Sequence, residues 1–309
     1  MRTRETRQIT MISLSTSLLE DYSGKEIITK AKNLGFSLIE LAFRLKPNQV
    51  AEIVKYGPVE GVQISSLHNY VPEPPELEGE LRLSDLDESN RNRAIELTKG
   101  TIRLAADIGA RAVVMHMGEP RNWNWSTIQR ELRQAIFDGI PQEEIEKIRQ
   151  KFIEARKRLP SAYLDSMIMS LDQIAPVASD LGIKLGIENR YSYGQFPNFE
   201  ELGILLQEFS GSAIGYWHDC GHAANNKYMG FAHETGNLDA FGNRLVGIHL
   251  HDAHDWHDHQ IPAPTRDINF KYLLPYIKDD TILVLELAKS APHESIHSGI
   301  EYLNNMGIK

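Results

Sequence analysis

The sequence predicts an α/β fold, a closed (β/α)₈ barrel, on three observations. Short apolar, β-rich runs alternate with amphipathic helical stretches from end to end. There are eight such runs, where a doubly wound sheet would more often have about five or six. No Gly-rich phosphate turn of the GxGxxG or Walker type follows the first of them.

The expected strands are 10–14, 38–42, 62–67, 112–115, 184–187, 213–217, 245–250 and 281–285. The helix before strand two ends at Asn33-Leu34-Gly35, the one before strand four at Asp107-Ile108-Gly109, and the one before strand five at Asp180-Leu181-Gly182. Glycine in each takes the left-handed conformation that closes a helix. Segment 72–87, rich in Pro, Glu and Asp, reads as a surface loop on the face where the strands end. Segment 121–160 carries Trp123 and Trp125 and a charged helical run at 143–158, so the region after strand four is extended. Such an insertion can form a lid or substrate wall, or a solvated helix packed on the rim. A barrel of this kind commonly runs to about 250 residues or more as one unit. Residues 1–309 are therefore expected to form a single domain.

Hydrophobic residues make up 41% of the chain and charged ones 24%, an ordinary globular balance that argues against disorder. A net charge of -9 disfavours a broad basic surface for nucleic acid, although bound cations would add local positive charge. The single cysteine, Cys220, excludes an internal disulfide framework and fits a reducing cytosol. Residues 1–10 lack the apolar core of a signal peptide, and no run reaches about 18 apolar residues. The expectation is a cytoplasmic protein with no membrane partner.

The informative feature is where the metal-competent side chains fall. His68 follows strand three, His116 follows strand four, Glu188 ends strand five, and Asp219 and His222 follow strand six. His249 and His251 end strand seven, and Glu286 ends strand eight. In a barrel all these positions converge on one face. Each alone has a bland explanation as a hydrogen-bonded or solvated residue. Six strand ends together are another matter, because such groups are excluded from a buried mouth unless a metal or partner compensates them.

Imidazole and carboxylate without thiolate suit Zn²⁺, Mn²⁺, Co²⁺ or Fe²⁺ and argue against a structural thiolate site. The expected cofactor is a divalent metal, Zn²⁺ or Mn²⁺ foremost, at about one to three ions per chain. The tract from His249 to His259 is the hardest to apportion. Residues two apart share a strand face, so His249 and His251 could both point inward, whereas His254, His257 and His259 lie in the loop beyond.

The segments Leu185-Gly-Ile-Glu188-Asn189-Arg190, Trp217-His-Asp219-Cys-Gly-His222-Ala, His249-Leu-His-Asp252 and Leu285-Glu286 resemble the xylose-isomerase-like TIM-barrel superfamily. That group comprises sugar and sugar-phosphate isomerases and epimerases together with the endonuclease IV type of abasic-site nuclease. The resemblance runs from Ile12 to the last helix. It implies that Glu188, Asp219, His249 and Glu286 form the core metal site, with His222 nearby as a second-site ligand or substrate contact. In the group's epimerases the glutamates matching Glu188 and Glu286 flank the substrate carbon and move its proton through an enediolate held on the metal. Two opposed carboxylates beside a polarised carbonyl are suited to that chemistry.

The nuclease branch has further histidines matching His68 and His116, and an Asp-x-His pair after strand seven. Here that pair falls on His257-Asp258-His259, so the usual Asp has either changed or shifted by one. The expected Gly-rich turn is replaced by Pro262-Ala-Pro264-Thr-Arg266. His257 and His259 accordingly join the candidate ligands, with a site of two metals or a larger cluster both open.

Arg190 could clamp a substrate phosphate or carboxylate with its planar fork, or pair with a nearby acid. His251 and Trp123 are further candidate substrate contacts; Trp123, Trp125, Tyr191 and Tyr193 could equally be rim packing. Glu40 belongs to strand two and can point inward, and Cys220 reads as a small buried filler.

Three functions compete: a metal-dependent isomerase or epimerase of a sugar, sugar phosphate or cyclitol; a multi-zinc phosphodiester hydrolase acting on DNA; and a catalytically altered metal-binding barrel serving a partner. The acidic balance and the missing Gly-rich turn favour the first, with Glu188, Glu286 and His222 catalytic and a small carbohydrate-like molecule as partner. Nucleic acid is disfavoured but stays open, as does a homo-oligomer.

Overall fold

The computed structural model describes residues 12–74, 81–121, 123–254 and 256–309. In chain order its elements are β1 (Ser13–Ser15), α1 (Gly24–Asn33), β2 (Leu38–Leu41), α2 (Pro47–Glu60), β3 (Gln63–His68), α3 (Glu88–Asp107) and β4 (Ala112–Met115). There follow α4 (Trp125–Phe137), α5 (Gln142–Lys157), α6 (Ala162–Asp180), β5 (Lys184–Glu188), α7 (Phe199–Glu208), β6 (Ile214–Asp219), α8 (Cys220–Tyr228) and α9 (Gly236–Phe241). The chain ends with β7 (Leu245–Leu250), the hairpin β8 (Asp252–His254) and β9 (His257–Gln260), β10 (Ile282–Leu285) and α10 (Ile296–Asn305).

Strands β1 to β7 and β10 close into a parallel barrel in the order β1-β10-β7-β6-β5-β4-β3-β2. This is the expected (β/α)₈ TIM barrel, with an α-helical crossover between successive barrel strands except from β7 to β10, where the hairpin β8–β9 and a short 3₁₀ turn at Phe270–Leu273 make the connection. Among the described residues no helix is long and apolar enough to cross a membrane.

Local chemistry sets the helix ends. Ser23 and Glu26 form a capping box at the start of α1, as do Asn198 and Glu201 at the start of α7. Alternation along the strands then sorts the two cores. Leu14, Ile39, Leu67, Val113, Leu185, Ile248 and Leu285 point outward into the layer of helices. Ala112, Val114, Trp217, Ile282 and Val284 fill the barrel itself. Trp217 occupies that interior because Gly186 and Gly247 flank it: a Cβ on Gly247 would lie 2.4 Å from the indole.

The eight expected strands are present with small shifts. Strand one is Ser13–Ser15, while Thr10 and Met11 lie outside the described residues. Strands five and six run on to Glu188 and Asp219, so the candidate ligands are their last residues. The expected loop at 72–87 lies partly outside the described residues, at 75–80, and its Asp87 caps α3.

Two regions differ from expectation. The region after strand four holds a separate helix, α4, joined to α5 through Asp138-Gly139-Ile140-Pro141, where Gly139 takes a φ of 63°. These two helices and Met229 enclose a small core of their own around Leu132, Ala135 and Ile145. The tract beyond His251 is the antiparallel pair β8–β9 rather than an irregular loop. Its His-rich sequence carries no apolar alternation to announce a hairpin.

Candidate metal centre

The site follows from strand parity. Side chains two apart share a face. Stepping back two residues from His68, His116, Glu188, Asp219, His249 and Glu286 reaches Ser66, Val114, Gly186, Trp217, Gly247 and Val284. Val114, Trp217 and Val284 are interior residues of the barrel, so the six candidates form the next layer above them. Trp217 is the floor, its ring 5.1 Å from that of His249.

His249 is fully buried at the centre. Its Nδ1 lies 2.7 Å from Glu188 Oε1, 3.1 Å from Glu286 Oε2 and 3.6 Å from Asp219 Oδ2. One ligand atom from each of these four residues lies within 4.8 Å of all the others. Four side chains from four strands thus share one point.

A second group adjoins it. The Oε2 of Glu188 lies 2.5 Å from His116 Nε2, and His68, His116 and Glu188 also bring ligand atoms within 4.8 Å. His68 stacks at 5.8 Å on His249 and meets His116 edge-on at 4.4 Å. Its buried Nδ1 has no hydrogen-bond partner among the described residues. Such an orphan is costly in a pure protein environment.

A third group, His251, His259 and Glu286, lies towards the hairpin. His259 Nε2 is 3.6 Å from Glu286 Oε2, and its Nδ1 is 2.9 Å from Asp258 Oδ1. Asp258 Oδ2 is in turn 3.7 Å from His222 Nε2. The hairpin is held over the mouth by Tyr191, whose hydroxyl donates to the Trp256 carbonyl at 2.6 Å. Trp256 also packs on Phe137 and Tyr228.

Charges in the site are strongly coupled. Burial opposes a proton on His249, but Glu286 and Glu40, with hydrogen bonds to Asp219 and Glu188, outweigh it and hold the imidazolium well above the usual range. Burial likewise opposes a proton on His259, yet Asp258 and Glu286 push it up to about 11. Burial disfavours charge on Glu188, and the histidines His116 and His249 still hold its carboxyl well below the usual carboxylate range. Asp219 is depressed in the same way by His222 and His251. His116 goes the other way: burial, with Arg190 and His68 nearby, pushes it down.

The structure brings together most of the residues expected from the sequence, with some in other positions than foreseen. His222 lies in the first turn of α8, where its backbone N–H donates to Asp219 Oδ1 at 2.7 Å. Its Nδ1 meets the Asn189 carbonyl at 2.8 Å, which leaves Nε2 facing Asp258. Arg190 donates to Glu188 Oε2 at 2.8 Å instead of standing open as an anion clamp. His251 is fully buried with both nitrogens engaged. Its Nδ1 accepts from the His259 N–H at 2.8 Å, so its Nε2–H donates to Asp219 Oδ2 at 2.9 Å. That ring braces Asp219 and presents no free edge to a substrate.

His257 and Trp123 are not brought to the cluster. His257 is exposed at the start of β9 and packs on Trp256. Asp258 turns towards His222 and His259, and His259 follows it into the site because its backbone takes a φ of 55°, which breaks the regular strand alternation. Of this tract the structure turns Asp258 and His259, not His257, to the site, and Asp258 is a residue that the sequence motif pointed to without fixing. Trp123 packs edge-on against Phe152, with Tyr193 beside it on the same ring. Both are rim packing. His254 is exposed, 3.7 Å from Asp267. Sequence reasoning gave Glu40 no partner; the structure places its Oε1 3.1 Å from His249 Nε2.

Beside His116 a cavity of about 300 Å³ opens from the cluster, lined by Phe43, Asn69, Tyr70, Arg82, Glu119 and Gln195 with Arg190. Its size suits a small polar molecule. The donor set, nitrogen and oxygen without sulfur, fits a divalent transition metal, and the buried Nδ1 of His68, with no hydrogen-bond partner among the described residues, suits a metal ligand.

Comparison with known proteins agrees with this architecture. The chain is similar in structure to a D-tagatose 3-epimerase-like protein, at 19% identity and a TM-score of 0.67, covering 96% of each chain. It is similar also to 3-keto-D-glucoside 4-epimerase from E. coli, at 12% identity and a TM-score of 0.66 over 96% of this chain and 99% of that one. The D-allulose 3-epimerase from Methylomonas sp. matches at 14% identity and a TM-score of 0.63, over 97% and 98%. At such identities the likeness is one of fold. An uncharacterized protein of Methanocaldococcus jannaschii is 28% identical over 127 residues, 38% of this chain and 41% of that protein's length. The sequence profile that describes the xylose isomerase-like TIM barrel matches residues 28–306, and the chain belongs to that family.

Proposed function

We propose that the protein is a metal-dependent isomerase or epimerase of a sugar, sugar phosphate or cyclitol, with residues 1–309 acting as one barrel domain. The observation that carries this is the approach of Glu188 and Glu286 to the same nitrogen of His249, at 2.7 and 3.1 Å, from strands on either side of it in the barrel. Family membership supports it, as does the likeness to proteins described as sugar epimerases. A divalent ion held by Glu188, Asp219, His249 and Glu286 would polarise a carbonyl and its neighbouring hydroxyl, acidifying the carbon between them.

The chain's own groups supply the rest. One of the two glutamates takes the proton from that carbon and the other returns one to the opposite face, a two-base arrangement that inverts a centre. Arg190 and His116 both bear on Glu188 Oε2, at 2.8 and 2.5 Å, and steady its charged form. The hairpin over the mouth, anchored through Tyr191 and Trp256, keeps water from the reacting carbon. The buried thiol of Cys220, raised well above its ordinary value by burial and by Asp219, takes no part and fits a reducing compartment.

The test is exchange of substrate C–H for deuterium in D₂O with a panel of ketoses, ketose phosphates and inosose-type cyclitols, in the presence of Zn²⁺ or Mn²⁺. Metal-dependent exchange that is lost in both Glu188→Gln and Glu286→Gln supports the proposal. A panel with no exchange under any metal contradicts it.

A second reading, a multi-zinc phosphodiester hydrolase, is favoured by the His68-His116-Glu188 group and by Asp258 beside His222. Cleavage of abasic-site DNA by the zinc-loaded chain would decide for it.

A further inference from the structure

Glu40 lies behind the metal centre and is fully buried. A carboxylate in a barrel interior needs compensation. Its Oε1 lies 3.1 Å from His249 Nε2, and its Oε2 accepts from Ser66 Oγ at 2.8 Å. Two further serines adjoin Ser66, whose own proton is committed to Glu40. Ser13 Oγ donates to Ser65 Oγ at 2.7 Å, Ser65 Oγ donates to the Ile39 carbonyl at 3.2 Å, and Ser65 Oγ sits 3.2 Å from Ser66 Oγ. Both carboxylate oxygens are thus engaged, from β3 on one side and from β7 across the barrel on the other. Glu40 offers nothing to a substrate.

An imidazole binds a cation only through a nitrogen that has no proton, and neutral histidine exists as two tautomers. Which one prevails is set by the partner of the other nitrogen. The Nδ1 of His249 faces Glu188, Asp219 and Glu286, while Nε2 faces Glu40. We propose that Glu40 is a positioning residue: by accepting the Nε2–H of His249, it turns the Nδ1 lone pair onto the shared point and sets the affinity of the centre for its metal. The proposal rests on the metal reading given under Proposed function. A carboxylate in this place also makes the ring a stronger donor.

The experiment is calorimetric titration of the metal-free protein with Zn²⁺, for the wild type, Glu40→Leu, Glu40→Gln and Ser66→Ala. Glu40→Leu is expected to bind roughly 10- to 100-fold more weakly, the usual effect of removing an outer partner of a metal-bound histidine. Glu40→Gln keeps an oxygen that can accept the Nε2–H and is expected to recover most of that loss, with Ser66→Ala close to wild type. Long-range ¹H–¹⁵N spectra of the zinc-loaded wild type are expected to place the His249 proton on Nε2. A Glu40→Leu chain with a native circular dichroism spectrum and unchanged zinc affinity overturns the role of Glu40. So does a His249 proton found on Nδ1, which decides the matter even if the Leu variant fails to fold. A wild type that takes up no Zn²⁺ overturns the metal reading itself, a result distinct from either.

Discussion

The Oε1 of Glu188 lies 2.7 Å from Nδ1 of His249, a contact that spans β6 to join the ends of β5 and β7. It holds a proton where a metal would sit. Burial alone would strip His249 of that proton, but Glu286, Glu40, Asp219 and Glu188 together keep it well above the usual histidine range.

Metal uptake must therefore displace protons. Because the folded value of His249 is raised, the stabilisation that its charge gives the metal-free chain is fully present below about pH 6.5 and fades as pH climbs through the folded value. The same proton competes with metal, so Zn²⁺ affinity is expected to rise with pH from 6 to 8. Calorimetry in two buffers of different ionisation enthalpy should show release of about one proton or more per ion. A heat independent of buffer would contradict the protonation state described.

Glu286→Gln is expected to lower the rate of solvent-proton exchange into substrate by about 10²- to 10⁴-fold, the span typical of losing a general acid or base. Elemental analysis of the variant separates that effect from loss of metal. A rate within a factor of about three of wild type, with metal retained, would remove Glu286 from the proton pair.

Trp217 is fully buried above Gly186 and Gly247 and supports the His249 ring. Trp217→Ala is expected to cost about 3–5 kcal/mol, read from denaturant unfolding. Gly247→Ala should cost about 1–3 kcal/mol by overpacking the same space, since its Cβ would stand 2.4 Å from the indole. Unfolding midpoints equal to wild type in both would mean that the interior is packed differently.

His218 sits fully buried between the hydroxyls of Tyr216 and Tyr272, at 2.7 and 2.8 Å. Burial pushes it down to about 3. Its value is lowered, so the stability tied to its neutral form is present above about pH 6.5 and is lost as pH falls towards 3. Over that window the slope from one such group is about 1.4 kcal/mol per pH unit. His218→Gln, which cannot titrate, should unfold with a shallower acid dependence than wild type; equal slopes would show that His218 is free to ionise in the fold.

Strand parity explains how much of the site was legible. A residue at the end of a strand inherits the inward face of the residue two before it, so His68, His116, Glu188, Asp219, His249 and Glu286 could be placed at one mouth from the sequence alone. The hairpin β8–β9 obeys a register fixed by pairing across it, Asp252 with Gln260 and His254 with His257, and no local pattern announces that pairing. For that reason the sequence did not show that Asp258 faces the site while His257 faces solvent. Asp252 shows the same limit. It accepts from the backbone N–H groups of Ala253 at 2.9 Å and Ile268 at 3.1 Å, organising the chain after the mouth, a task invisible in its sequence neighbours. Glu40 meets His249 only because the barrel closes, across 209 positions of sequence. Trp123 was drawn to the site by its residue type, whereas Phe152 on the added helix α5 claims it.

The most direct test of the account is metal content per chain, by elemental analysis of protein purified without chelator, for the wild type beside His249→Ala. The account predicts about one or two divalent ions in the wild type and loss of the central ion in the variant. A wild type free of stoichiometric metal contradicts the metal centre; three zinc ions per chain contradict the preference for isomerase chemistry and make phosphodiester cleavage the activity to assay.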